Sequence, residues 1–394
     1  MSARWVLPVS GCFLVVGLGG YELAAYAATL PHLLRGSGLQ LTELQAGVVA
    51  STAMAGMLAG GLGPALLRRN SPLPAVLRAA VAMMAAGFLV CAVAPHPAAL
   101  AVGRLLTGAG AGAAVPTAIA LTAAVAPRRH RTTVHTVMFS GLQLGSALGA
   151  LVAPAVLHQS GWRTLFGIGA GAAVCLAILL PRLTQEQAGP GSASPAIGVR
   201  SLWSAGTRWL TATHWTSTAL GLYMVYGLNA WLVQLMLDGG HGPATSLRLL
   251  AVFNLGAVLG TPLAGLVADR WGQQRTAVVL FLGGAASLCL LAGEPSSSAA
   301  PALLCLAGLG TMGATTVLNG LTAAAYGPDL RATALGWALG LGRLGAVAGP
   351  LVGGLLLDAG AAPGALLIAF AVPAVATAAL VATSTSFVRA GHPA

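Results

Sequence analysis

Three ionisable side chains lie deep inside long apolar runs, where charge is hardest to keep. Glu22 falls in the run 7–34, Arg104 in 98–126 and Arg343 in 333–357. A carboxylate at such a place must be protonated or paired. Desolvation opposes its charge and a nearby arginine favours it. A group held between those two pulls can take up and release a proton, so Glu22 is read as a proton-coupling residue. Arginine keeps its proton, so Arg104 must face a helix bundle or water. It either pairs with Glu22 or orients the contact between the first and fourth helices. Arg343 stands twelve residues beyond Arg331, which at 1.5 Å per residue is about 18 Å along a helix and close to the middle of a bilayer.

The chain repeats itself at an offset of 200. Arg131, Thr133, Leu144, Gly145 and Gly149 match Arg331, Thr333, Leu344, Gly345 and Gly349; Gly108, Gly110, Leu121 and Thr122 match Gly308, Gly310, Leu321 and Thr322. The mate of Arg343 is then Gln143. A cation in one repeat and a neutral amide at equal depth in the other suit an organic anion, because a guanidinium grips a carboxylate in a bidentate fork. Tyr21, Tyr26, Asn229 and Asn319 recur at cavity depth. Aromatic faces would suit a planar ring, and phenols and amides would bond a ring hydroxyl. Arg343, Gln143, Tyr21, Tyr26, Asn229 and Asn319 form the expected substrate-binding set.

Other chemistries find no residues. There is no phosphate-binding loop, no nucleophile–His–acid set and no metal-ligand spacing. The five cysteines (Cys12, Cys91, Cys175, Cys289, Cys305) are scattered through apolar runs. The reading therefore expects no catalytic residue, no metal, no cofactor and no ATP-driven step.

The elements that must position these residues follow from composition. Of 394 residues only 7% are charged and 57% are hydrophobic. A soluble protein carries about 25% charged residues. Twelve apolar runs of spanning length appear: 7–34, 43–67, 75–94, 98–126, 133–158, 164–181, 212–237, 245–268, 276–293, 301–327, 333–357 and 364–388. The expected fold is an all-α membrane protein. Two pseudo-symmetric six-helix bundles, 1–181 and 212–394, flank a polar linker at 182–211. Such a duplication suits a transporter that rocks one half against the other around a midplane site.

All 19 basic residues are arginine. Fourteen fall in alternate gaps counted from the N-terminus, against three in the others (Arg35, Arg163, Arg248). The positive-inside rule puts both termini and the linker in the cytoplasm. Topology thus accounts for most of the +11 charge, and no nucleic-acid partner is needed.

Several segments carry a family resemblance. Gly265-Leu266-Val267-Ala268-Asp269-Arg270-Trp271-Gly272 resembles the loop signature of the major facilitator superfamily. More narrowly, the chain resembles the aromatic acid:proton symporters. That likeness is carried by Gly20-Tyr21-Glu22-Leu23-Ala24, Gly103-Arg104-Leu105-Leu106-Thr107-Gly108, Met138-Phe139-Ser140-Gly141, Gly161-Trp162-Arg163 and the stretch from Arg331 to Gly345. Two positions depart from the family pattern: Gly19 stands where a first helix-1 Asp is usual, and Leu67-Arg68-Arg69-Asn70 replaces Asp-Arg-x-Gly. The resemblance implies the major facilitator fold, pairing of Arg104 with Glu22, and conformational gating by Asp269, Arg270 and Arg331.

The resulting expectation is proton-coupled uptake of a small organic anion, an aromatic carboxylate, by alternating access. The alternative is a proton-coupled drug efflux antiporter. The partners would be the anion, protons and the lipid bilayer, with the protein working as a monomer in the cell inner membrane.

Overall fold

The structure, a computed structural model, describes residues 5–35, 39–67, 72–127, 131–184, 199–203, 207–293, 298–326 and 328–391. Side chains are described for these except at 62–67, 131–133, 136, 199, 200, 328, 329, 332 and 384–391. Several arginines counted for sidedness (Arg4, Arg68, Arg69, Arg128, Arg129) and most of the 182–211 linker lie outside the described residues.

Every apolar run is a helix. In order they are α1 (Val6–Arg35), α2 (Glu43–Leu67), α3 (Leu73–Val93), α4 (Pro97–Val125), α5 (Arg131–Ser160), α6 (Trp162–Thr184), α7 (Arg208–Asp238), α8 (Pro243–Trp271), α9 (Gln273–Ala292), α10 (Ala300–Ala325), α11 (Pro328–Asp358) and α12 (Pro363–Gly391). All 12 are long and apolar enough to cross a membrane, and no strand occurs among the described residues. The helices close every backbone hydrogen bond within one segment, which is what a hydrocarbon environment requires. Polar residues punctuate the runs: Glu43 opens α2, Asp238 closes α7 and Asp358 closes α11.

The chain divides into two compact units. One holds Met1–Ser192 with Asn229–Leu237 and Gly242–Ala251; the other holds Ala193–Leu228, Asp238–His241 and Val252–Ala394. Within the first, α2 packs on α4, α1 on α5, and α3 on α4 and α6. Within the second, α9 packs on α10 and α12.

Helices lie this close because glycine occupies the crossings. A Cβ on Gly56 or Gly60 of α2 would run into the backbone of Leu105 or Ala109 of α4. A Cβ on Gly256 or Gly260 of α8 would meet Cys305 or Leu309 of α10 in the same way. Each of these residues and its partner is displaced by 200 from the first pair, so the sequence repeat is also a repeat of packing.

At Gly20 a Cβ would overlap the Leu142 carbonyl of α5. By contrast, a Cβ at Gly171 of α6 meets nothing within 4 Å. Gly20→Ala should therefore destabilise the protein by about 2 kcal/mol through overpacking. Gly171→Ala should not lower the melting temperature and should raise it slightly, since alanine favours a helix interior over glycine. A thermal melt of the detergent-solubilised protein reads both.

One local feature was invisible to periodicity. Leu309–Gly313 forms a π-helical turn inside α10. The residues remain apolar and small, so the sequence reads as one continuous span. Within this turn α10 approaches α9 closely, since a Cβ on Gly310 would lie 2.7 Å from the Leu280 carbonyl oxygen.

The described end of the linker is docked rather than loose. Its short helical turn, Val199–Trp203, buries Leu202 against Leu210, Tyr326 and Ala334. The Thr207 and Thr211 hydroxyls donate to the Leu202 carbonyl at 2.9 and 2.7 Å. Thr211 also meets the Tyr326 hydroxyl at 2.8 Å.

Candidate functional site

The first unit brings α1, α2 and α4 together around one ion pair. Gly108 of α4 sits where any Cβ would strike the Ala53 carbonyl of α2. That contact presses α4 against α2 one turn beyond Arg104 and holds the arginine inside the bundle. The Arg104 guanidinium Nη1 donates to Glu22 Oε1, and to the Glu22 carbonyl at 3.3 Å. Its Nη2 reaches the Ala50 carbonyl of α2 at 3.5 Å. Thr107, one turn along from Arg104, donates its hydroxyl to the same carboxylate oxygen at 3.1 Å. Both charges are nearly sealed, with Glu22 3% and Arg104 2% exposed.

The Tyr26 ring supports the guanidinium from below, 4.2 Å from its centroid to Arg104 Cζ. A cation over a desolvated aromatic face gains roughly 2 kcal/mol. The Tyr26 hydroxyl donates to the Ala46 carbonyl at 2.6 Å, fixing the ring against α2. Arg104 Nε is buried and makes no hydrogen bond among the described residues.

The two protonation states of the carboxyl would differ in what they offer Arg104. With Glu22 ionised, the pair is neutral overall and its Coulomb attraction offsets the cost of desolvating both ions. With Glu22 protonated, Arg104 keeps the two backbone carbonyls and the tyrosine face, while its salt bridge is gone. The positive charge is then held more loosely. The charge pair belongs to one repeat only: at the 200 offset, Arg104 corresponds to Leu304.

Tyr21, adjacent to Glu22, points elsewhere. Its hydroxyl donates to the Leu165 carbonyl of α6 at 2.7 Å, and its ring lies 6.2 Å from Phe88. The structure therefore clusters Glu22, Arg104 and Tyr26 and leaves Tyr21 as a bridge between α1 and α6. Gln143 is half-buried on α5, and Asn229 is buried on α7 at 7% exposure.

In the second unit Arg343 is half-buried on α11. Its Nη1 donates to the Tyr226 hydroxyl of α7 at 3.3 Å, and its Cζ lies 6.0 Å from the Tyr226 ring centroid. The backbone beside it is held close to α7, since a Cβ on Gly342 would meet Thr218 Cγ2 at 2.7 Å. Asn319 on α10 buries an amide oxygen that has no hydrogen-bond partner among the described residues.

Asp269 and Arg270 are exposed at the end of α8, and Arg331 is exposed near the start of α11. Among the described residues, no group of three or more His, Cys, Asp or Glu is placed to hold a metal.

Two contacts were not selected from sequence. Thr107 is one helical turn from Arg104, so its proximity to any partner of Arg104 could have been read from i, i+3 spacing. The buried pair of His214 Nδ1 and Thr322 Oγ1, 2.8 Å apart, joins α7 to α10 and carries no local signal.

Known proteins place this geometry in context. The sequence profile described as Major Facilitator Superfamily matches residues 12–247 and 215–390. A gentisate transporter of Corynebacterium glutamicum is 33% identical over 358 residues, covering 88% of this chain and 80% of the relative. A gallate transporter of Pseudomonas putida is 30% identical, covering 95% of this chain and 90% of the relative. The fold matches that of the nucleoside transporter NupG with a TM-score of 0.77 at 13% identity, covering 96% of this chain and 99% of that one.

Proposed function

The chain belongs to the Major Facilitator Superfamily and is a multi-pass membrane transporter rather than an enzyme, and from that premise we propose that it carries an aromatic carboxylate together with protons by alternating access. The observation that carries the reading is the buried Glu22–Arg104 pair in one unit and, within the other, an arginine, Arg343, held by the phenol of Tyr226. One bundle thus holds a carboxylate that can be protonated, and the other holds a cation able to take a second carboxylate from a ligand.

The two transporters reported above are named for gentisate and gallate. Both compounds are hydroxylated aromatic acids, which fits a guanidinium beside the phenol of Tyr226. In this reading Arg343 grips the carboxylate bidentately. The buried Tyr226 offers its ring alongside, and Asn319 and Gln143 supply polar contacts for ring substituents. Asn229 completes the expected lining, while Tyr21 stays bonded to the Leu165 carbonyl.

Glu22 takes up a proton from the outer side, weakening its hold on Arg104. The bundles then change their relation, and proton and substrate leave on the cytoplasmic side. Asp269, Arg270 and Arg331 act at the helix ends, stabilising the closed form through charges near helix termini. The working unit is a monomer in the inner membrane, with both termini cytoplasmic. The drug-antiporter alternative would set a guanidinium, Arg343, at the substrate, where it would repel the cationic drugs that such exporters handle.

The test uses purified protein in liposomes. With the outside more acidic, labelled gentisate or benzoate should accumulate inside, and a protonophore should abolish the accumulation. Uptake that ignores the pH gradient, or substrate-driven proton release from the lumen, would overturn proton symport.

A further inference from the structure

Beyond the transport site, an open groove of about 730 Å³ lies in the second unit between the α8–α9 turn and α12. Its lining changes character along its length. Arg270, Trp271, Gln274 and Arg275 line it near the turn, and Val278, Val279 and Ala382 add apolar surface, the valines one helical turn beyond Arg275 on α9. Trp271 is 65% exposed and Val279 57% exposed. Gln274 Nε2 donates to the carbonyls of Val381 and Ala382 at 2.8 and 2.9 Å, which ties α9 to α12 and forms one wall.

The turn is sharp because Gly272 adopts φ +90°, a conformation that side-chain-bearing residues rarely take. Arg270 and Arg275, five residues apart, flank this turn and both line the groove. Both are exposed, and neither has a hydrogen bond or ion pair among the described residues. Asp269 is exposed on the same helix end but does not line the groove. A charged rim over an apolar floor at the end of two membrane-spanning helices is matched by a phospholipid: its phosphate takes two guanidinium forks, and its glycerol and upper acyl chain lie on valines. Tryptophan belongs at that depth, with its ring spanning the headgroup boundary.

We propose that this groove is a binding site for an anionic phospholipid, held through its phosphate and headgroup charge by Arg270 and Arg275. The site is separate from Glu22 and Arg343, and its occupancy can be measured without any transport assay.

Trp271 supplies the probe. The protein is reconstituted in phosphatidylcholine vesicles containing a minor fraction of either brominated phosphatidylglycerol or brominated phosphatidylcholine. The emission due to Trp271 is the difference between the wild type and Trp271→Phe. Brominated phosphatidylglycerol should quench this component at about tenfold lower mole fraction than brominated phosphatidylcholine, given two arginines near the surface. Arg275→Gln should cut that preference to about threefold, and Arg270→Gln with Arg275→Gln should remove it.

Equal quenching by the two lipids would overturn the proposal. So would a preference that survives the double substitution. If millimolar inorganic phosphate erased the preference, the groove would be a free-anion site and the lipid assignment would fail. Wild-type protein alone answers the first question, so a poorly folding variant does not protect the proposal.

Discussion

Glu22→Gln should abolish gradient-driven accumulation of substrate while leaving substrate exchange intact. The substitution keeps the shape and one carbonyl oxygen, so Thr107 and Arg104 still find an acceptor where Glu22 Oε1 stood. It removes the ability to alternate between charged and neutral forms. For one proton carried with each neutral-sum cycle, a gradient of two pH units can sustain about 100-fold accumulation, since each unit is worth about 1.4 kcal/mol. In the variant the ratio of internal to external substrate should fall to about one, the value for uncoupled equilibration. Counterflow between vesicles preloaded with substrate and labelled substrate outside should continue, because exchange needs no net proton movement. Vesicle uptake and counterflow, measured side by side, decide the matter. Accumulation that persists in Glu22→Gln would remove this residue from the coupling mechanism.

The same substitution leaves Arg104 buried without a counter-ion. Stripping one partner from a buried pair costs about 3–5 kcal/mol. The Glu22→Gln protein should therefore melt at a lower temperature than the wild type, and adding Arg104→Met should recover part of the loss. Recovery of stability without recovery of accumulation would separate the coupling role from a merely structural one.

Arg343→Gln should weaken binding of aromatic carboxylates by about 10- to 100-fold, the loss of one charge-assisted bond pair. The neutral amide of the same acid should bind the variant and the wild type alike. Tyr226→Phe should have a smaller effect, about threefold, because it removes only the hydroxyl that orients the guanidinium at 3.3 Å. Titration calorimetry in detergent reads all three constants. An unchanged affinity for benzoate in Arg343→Gln would place the substrate elsewhere. Because Arg343 and Glu22 lie in different units, their effects should separate: the first on affinity, the second on accumulation.

Helix number, the internal repeat and the unusual acid were legible in the chain because each is a local or periodic property. A span announces itself by twenty apolar residues, and a carboxylate such as Glu22 stands out against that background. The 200-residue offset also survived into three dimensions, since Gly56 and Gly60 meet Leu105 and Ala109 while Gly256 and Gly260 meet Cys305 and Leu309. Asp238 and Asp358 close their helices as their positions at span ends suggested.

What the chain by itself determined, then, is a set of twelve helices long and apolar enough to cross a membrane, their duplication, and three charges within the spans that topology does not require. Only the tertiary structure decided how those charges are used. It joined Glu22 to an arginine 82 residues away, laid Arg104 on Tyr26, turned Tyr21 to the Leu165 carbonyl, and brought Arg343 to the phenol of Tyr226. It also placed a π-helical turn in α10 where the apolar pattern runs unbroken. The reason is physical. Hydropathy is summed along one helix, whereas an ion pair depends on which faces of three helices meet. In this protein those faces are chosen by glycines that admit a neighbouring backbone, and nothing in a glycine names its partner.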